Sequence, residues 1–216
     1  MLEIIDVNYE SLPEIKSDEL YTLRKETFKD RLNWAVTCTD GMEFDEYDNE
    51  NTRYLLGIIE NQLVCSVRFI ATHLPNMITH TFHTFFDKVS LPKGDFVESS
   101  RFFVDKERAR NLLGSQFPIS SVLFLAMINY ARHYGHEGVY TICSKPMWTI
   151  LKRSGWEIEV VEVGMSEMNK PVYLLFLPVD SKNQSILTDR IAQSSGMSNQ
   201  ALTRWPMTLE FMTEQV

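Results

Sequence analysis

The chain has 216 residues, 44% of them hydrophobic and 12% aromatic, which is enough for a sizeable core in one domain and too apolar for a disordered chain. A net charge of −8 and a pI near 5.2 argue against a general nucleic-acid binder, and no apolar run approaches the roughly 18 residues that a membrane span needs. Cys38, Cys65 and Cys143 lack CxxC spacing and read as free thiols of a reducing cytoplasm.

Met1 to Val7 is apolar but too short for a signal peptide, and it carries Glu3 and Asp6. Ser17 reads as an N-cap, with Asp18 and Glu19 at the positive end of a helix that carries Leu20, Leu23, Arg24 and Phe28 and ends near Arg31. Arg24 and Phe28, four apart, share one face. Residues 32–52 form a long loop that carries Trp34. From Asp40 to Glu50 it holds six acidic residues, Asp45 and Asp48 among them, and no basic one. By charge alone this is a solvated loop, but its length in a compact domain points to function. It lacks the alternating oxygen ligands and central glycine of a calcium loop, so no metal is assigned.

Arg53–Glu60 and Gln62–Thr72 are rich in β-forming residues and meet at Asn61 in a hairpin, with Arg68 in the second strand. Val97–Val104 is a further strand, holding Glu98, Ser99, Ser100 and Arg101. On a regular strand Glu98 and Arg101 point to opposite faces; a bulge at Ser99-Ser100 would turn both into one cleft. A helix over 118–134 opens at Pro118 and is apolar on most of its circumference, so it should be heavily buried. Gly138–Ser144 is a strand, Ser144 caps a short helix with Pro146 in its first turn, and Gly155 ends that helix. Trp156–Val163 alternates and Val172–Leu177 is a last apolar strand. Residues 179–216 turn polar and are expected to be a tail, partly ordered at most, redocking through Trp205-Pro206; residues 1–178 are then the single domain.

The pairs His80/His83 and His133/His136 have no cysteine or carboxylate at zinc-ligand spacing, no cysteine has an activating neighbour, and no Gly-x-Ser-x-Gly elbow occurs. What remains is an ordered set: Arg24, Phe28, Trp34, Asp45, Asp48, Arg68, Glu98 and Arg101. Opposite charges and two large aromatics gathered by a fold suit a small zwitterionic ligand with a flat ring.

This set resembles that of the acyl-homoserine lactone synthases, the LuxI-type autoinducer synthases of bacteria, over residues 1–178. The order helix, hairpin, strand, helix, strand, helix, strand, strand is that of the GNAT-like acyltransferases. The expected fold is therefore an α/β single-domain sandwich with a mixed, splayed sheet flanked by helices. The resemblance implies a cytoplasmic enzyme that acylates the amine of S-adenosylmethionine from an acylated acyl carrier protein, closes the lactone and expels methylthioadenosine. S-adenosylmethionine is then a substrate, no cofactor is needed, and neither nucleic acid nor membrane is a partner.

Under that resemblance Glu98 takes the amine proton, directly or through one water, with Arg101 beside it. Arg24, Arg68 or Arg101 meets the substrate carboxylate; the alternative for each is a structural ion pair with Asp45 or Asp48. Phe28 and Trp34 flank the adenine or methionine part. An acyl tunnel is lined by Phe124, Met127, Cys143 and Met147, by Ile150, Leu151 and Leu177, and by the hydroxyls of Ser99 and Thr141. The apolar members belong to a core under any reading. Thr141 in related synthases goes with 3-oxo chains of, here, medium length, though a β-branched residue is ordinary in a strand. Lys145, Lys152 and Arg153 on the short helix offer a basic dock for the acidic carrier, or simply a solvated face. Two rivals are weighed. A GNAT-like acetyltransferase acting on a small amine is disfavoured because Arg110 and Gly114 are one residue too far apart for a coenzyme A pyrophosphate loop, and no second glycine follows. A non-catalytic module binding S-adenosylmethionine or carrier protein has no use for Glu98 beside two arginines.

Overall fold

The computed structural model describes residues 1–210. The chain runs β1 (Leu2–Asn8), α1 (Glu14–Arg24) continued by a π-helical turn over Lys25–Arg31, then the short hairpin β2 (Cys38–Thr39) and β3 (Met42–Glu43). Next come β4 (Thr52–Ile59), β5 (Gln62–Ala71), β6 (Phe96–Val104), α2 (Lys106–Leu113) and α3 (Ile119–Tyr134). β7 (Gly138–Ser144), α4 (Lys145–Ser154), β8 (Glu159–Met165), β9 (Pro171–Leu177), α5 (Ser181–Ser195), α6 (Asn199–Leu202) and β10 (Met207–Leu209) complete it. The strands other than β2 and β3 form one sheet in the order β10-β1-β4-β5-β6-β7-β9-β8. Every pair in it is antiparallel except β6 with β7.

That parallel seam is short. It pairs Phe96 through Ser99 with Gly138 through Thr141. Beyond Ser99, β6 continues on β5 alone, and beyond Thr141, β7 continues on β9 alone. The sheet therefore splays at Ser99 and Thr141, giving the mixed, splayed sandwich expected.

Alternation on β4 sends Leu55 and Ile59 to one face and Tyr54 and Leu56 to the other. The first face carries α3, which packs on β1, β4 and β5 and is covered on its outer side by α5. Buried between two layers, α3 needs apolar residues all round. The second face carries α1, whose Leu20 and Leu23 join Phe28, Tyr54 and Phe103. At Gly57, where the β4–β5 register shifts, a Cβ would run into Cys65 Sγ, so a glycine lets the two strands close.

Four local expectations change. The first helix starts a turn before Ser17, with Pro13 as its extended N-cap, and Ser17 Oγ donates back to the Glu14 carbonyl at 2.8 Å. The short apolar N-terminus is a strand, with Leu2 and Ile4 pointing inward. Within the connection 105–117, Asp105 caps α2 by accepting from the amides of Glu107 and Arg108.

The largest change is the polar tail. Asp180 caps α5, Leu187 and Ile191 at i, i+4 spacing are buried against the core, and β10 pairs with β1 from Leu2↔Leu209 to Ile4↔Met207. Trp205 does redock, stacking edge-on against Tyr130 and donating its indole N–H to Asp6 at 3.1 Å. Polar composition hid an amphipathic helix whose apolar stripe is narrow, so the fold does not stop at Pro178. Residues 211–216 of that tail lie outside the described residues. No helix among the described residues is long and apolar enough to cross a membrane.

Candidate functional site

The last turn of α1 carries Arg24 inward, and the central strand β5 carries Arg68 to the same place. Arg24 donates from Nε to Glu43 at 2.6 Å and from both terminal nitrogens to Asp48, at 2.7 and 2.9 Å. Arg68 forks onto Asp45 at 2.5 and 3.2 Å, lies 3.1 Å from Asp48, and donates from Nε to Ser100 Oγ. Arg101 donates to Glu43 at 2.9 Å and to Asp45 at 2.8 Å. Each carboxylate thus bridges two guanidiniums. Tyr54 adds its hydroxyl to Asp48 at 2.8 Å, and Tyr21 stands 3.2 Å behind it.

Isolated charges this deep would each cost several kcal/mol; three guanidiniums interleaved with three carboxylates offset that cost. Burial works to raise the Asp48 carboxyl, but Arg24 and Arg68 outweigh it and hold Asp48 well below the usual carboxylate range. The three arginines are thereby committed to ion pairs, the alternative that the sequence leaves open beside direct ligand contact.

Glu98 is different. It is 2% exposed and, among the described residues, no arginine lies within ion-pairing distance of it. Its Oε2 accepts from the Met77 amide at 3.2 Å. Burial pushes its carboxyl above the ordinary range, opposed by Arg68, Ser100, the Met77 amide and Arg101. Such a group is a stronger base than a solvated glutamate and sits where the sheet opens.

Glu98 and Arg101 do reach one place, since Arg101 Nη1 lies 3.5 Å from Met77 Sδ, but the bulge that allows it is displaced from Ser99-Ser100. Ser66 pairs with Phe103 and Arg68 with Ser100, so Arg101 and Phe102 share the position opposite Val67. Arg101 takes φ +54, a left-handed conformation unusual for a non-glycine residue, held by its two acidic partners.

Phe28 and Trp34 meet as expected but stack on each other, with centroids 5.1 Å apart, leaving no slot between them. Phe28 is core; Trp34 covers it at 39% exposure, and Arg101 lies 5.6 Å over the Phe28 ring. Glu43, fully buried and shared by Arg24 and Arg101, went unmarked in the sequence. A signal was there: Asp40-Gly41 with positive φ at both positions is a two-residue hairpin turn, which makes Met42-Glu43 a strand rather than a solvated loop.

Of the tunnel residues, Phe124, Met127, Cys143, Leu151 and Leu177 form one closed apolar wall, with Met147 half-buried against it and Phe102 stacked on Phe124. Ile150 is 45% exposed and does not line it, because α4 centres its inner face on Met147, Leu151 and Ser154. Ser99 is buried at the splay, and Thr141 Oγ donates to the Ser99 carbonyl at 2.8 Å, so its proton is already in use. Burial pushes the Cys143 thiol up to about 12, which removes it as a nucleophile. Lys145, Lys152 and Arg153 are exposed on α4, with the Lys152 ammonium 4.8 Å over Trp148. Open grooves of about 540 and 400 Å³ lie elsewhere, around Glu157 and Ile158, and neither touches the arginines.

The chain matches the autoinducer synthase family over residues 8–187. It is 62% identical to an acyl-homoserine-lactone synthase of Enterobacter agglomerans over 216 residues, the full length of both chains. Among solved structures it resembles BjaI, a CoA-dependent acyl-homoserine lactone synthase determined with MTA, with a TM-score of 0.78 and 22% identity over 89% of this chain and 90% of that one. An acyl-CoA N-acyltransferase from Pseudomonas aeruginosa shares the fold at a TM-score of 0.53 and 16% identity, covering 82% of this chain and 99% of the other.

Proposed function

Because this chain belongs to the autoinducer synthase family and is an acyl-homoserine-lactone synthase, we propose that its nucleophile is the amine of S-adenosylmethionine and its donor an acyl thioester of acyl carrier protein. The amine nitrogen attacks the thioester carbonyl, the carbon–sulfur bond breaks, and the thiol leaves with a proton. One oxygen of the substrate carboxylate then attacks the carbon next to the sulfonium. The second carbon–sulfur bond breaks onto sulfur, and methylthioadenosine departs as a neutral thioether.

Glu98 carries this reading. The site offers three guanidiniums and four carboxylates, so with Glu98 ionised it bears one net negative charge, complementary to the net single positive charge of S-adenosylmethionine. The arriving sulfonium and ammonium favour the ionised form of Glu98, which then accepts the amine proton directly or through a water. An α-amino group titrates near 7.7–8.0, so its deprotonation at neutral pH costs only about 1 kcal/mol, and positioning does most of the rest. MTA in the BjaI structure supports S-adenosylmethionine as the substrate.

For the donor, the exposed Lys145, Lys152 and Arg153 on α4 give an acidic enzyme a local positive surface for an acidic carrier. Coenzyme A thioesters are the second reading, favoured by the CoA dependence of BjaI. A 3-oxo, medium-length chain is the proposed acyl group, its oxo oxygen competing with the Ser99 carbonyl for the Thr141 proton. Free thiols suit a reaction in the cytoplasm.

The test is incubation with S-adenosylmethionine and a panel of acyl-carrier and acyl-CoA thioesters. We expect equal amounts of methylthioadenosine and lactone, most from 3-oxo acyl carrier protein. No methylthioadenosine from any thioester overturns the reaction, and faster turnover with coenzyme A thioesters overturns the donor.

A further inference from the structure

Between β5 and β6 the chain makes a turn over Met77–Thr81 that no sequence motif announces. It is built by Asn76, whose side chain is fully buried and fully used. Asn76 Oδ1 accepts from the amides of Ile78 and Thr79 at 3.0 and 3.1 Å, and Nδ2 donates to the carbonyls of Leu74 and Thr72 at 2.8 and 3.2 Å. Two donors and two acceptances exhaust an amide side chain, and no carboxylate or hydroxyl residue can make all four bonds. The consequence falls on the next residue. Met77 is left with its amide aimed at Glu98 Oε2 and its thioether sulfur 3.1 Å from Arg68 Nη2 and 3.5 Å from Arg101 Nη1. One buried amide therefore sets the backbone donor of the candidate base and brings the Met77 sulfur against the two arginines nearest it.

We propose that Asn76 is a positioning residue for the acylation step, acting through the Met77 amide on Glu98. The proposal rests on the reading of Glu98 as the base. Glu98 is faced by Arg68 from β5, by Arg101 and the Ser100 hydroxyl from β6, and by Tyr140 of β7, its partner in register. From the turn it is faced by the Met77 amide, and Met77 packs with Tyr47, whose hydroxyl is hydrogen-bonded to Thr81. Among these, the Met77 amide is the backbone donor, and its direction is set by the Asn76 side chain, whereas the Ser100 hydroxyl is held by Arg68 Nε. An N–H aimed at a carboxylate favours its ionised form, so slackening the turn raises the proton affinity of Glu98.

The experiment follows the titration of Glu98 by the ¹³C shift of its carboxyl in glutamate-labelled protein, assigned through Glu98→Gln, in wild type, Asn76→Ala and Asn76→Ser. Asn76→Ser restores a neutral cap acceptor and guards against a general loss of folding, which circular dichroism checks. We expect the midpoint to rise by on the order of one pH unit in Asn76→Ala and to return most of the way in Asn76→Ser. The acid limb of kcat should move in the same direction, with KM for S-adenosylmethionine changed little. An unmoved midpoint in a folded Asn76→Ala variant, even one of lowered Tm, leaves Asn76 a structural residue and overturns the proposal. A moved midpoint together with full activity in Glu98→Gln overturns instead the reading of Glu98 as base, and the catalytic role of Asn76 with it.

Discussion

Two regions meet at the splay of the sheet, and they are built on opposite terms. On one side Arg24, Arg68 and Arg101 interleave with Glu43, Asp45 and Asp48, each group held by direction and distance. On the other, Phe124, Met127, Leu151 and Leu177 form a wall held by volume alone. A charged network admits one arrangement, because moving any member strands a partner without compensation. An apolar wall tolerates exchange of equal volumes. The first region therefore cannot change one member at a time, and the second can.

The sharpest way to break the contrast is Asp48→Ala, which leaves Arg24, Arg68 and the Tyr54 hydroxyl facing a void. Destabilisation of about 3–5 kcal/mol is expected by urea denaturation, with activity lost alongside. Glu98→Gln separates function from stability within the charged side. Turnover should fall by roughly 10²–10⁴-fold. The folded pKa of Glu98 is raised, so its favourable contribution exists at low pH, where it is protonated in both states. That contribution is lost as pH rises from about 4.3, the unfolded value, through the folded one. Glu98→Gln should therefore raise Tm at neutral pH and above, an advantage that vanishes toward about pH 4; a lower Tm at pH 8 would count against the buried, unpaired carboxylate.

On the apolar side, Leu151→Ala should cost about 2–5 kcal/mol, while Ile150→Ala next to it should stay within about 0.5 kcal/mol. Equal losses by thermal melting would place both on the wall. Thr141→Val touches the border of the two regions and removes one hydrogen bond to the Ser99 carbonyl, costing about 1 kcal/mol. In mixed-substrate competition its products, read by mass spectrometry, should shift from 3-oxo toward unsubstituted chains.

How much of this was legible in the sequence follows the same divide. The hairpin at Asn61, the mostly apolar helix and the Gly155 stop carry strong local signals, and the structure has each where expected. The convergence of Arg24, Asp45, Asp48, Arg68, Glu98 and Arg101 was legible through the resemblance to a family, since no local rule brings residues 24 and 101 together. Glu43 stayed hidden because one more acid in an acidic run is unremarkable until the Asp40-Gly41 turn is read as a hairpin. Asn76 was invisible for a deeper reason: its four bonds all go to backbone, which sequence does not distinguish. Helix α5 was missed because Ser, Asn and Gln outnumber its few inward residues, and burial is decided by which positions are apolar and not by how many.

The pairing of β10 with β1 has a bearing on how the chain comes to be made. Among the described strands β1 comes first along the chain and β10 last, yet they lie side by side at the margin of the sheet. Until Met207–Leu209 are available, the outer rim of β1 is a row of open amides and carbonyls, a template for pairing with another chain. A nascent chain must carry that rim uncovered from the synthesis of β1 until residues 207–209 follow, as must any version that lacks β10. Loss of the last strand should therefore show itself less as a loss of catalysis than as self-association of an otherwise folded body.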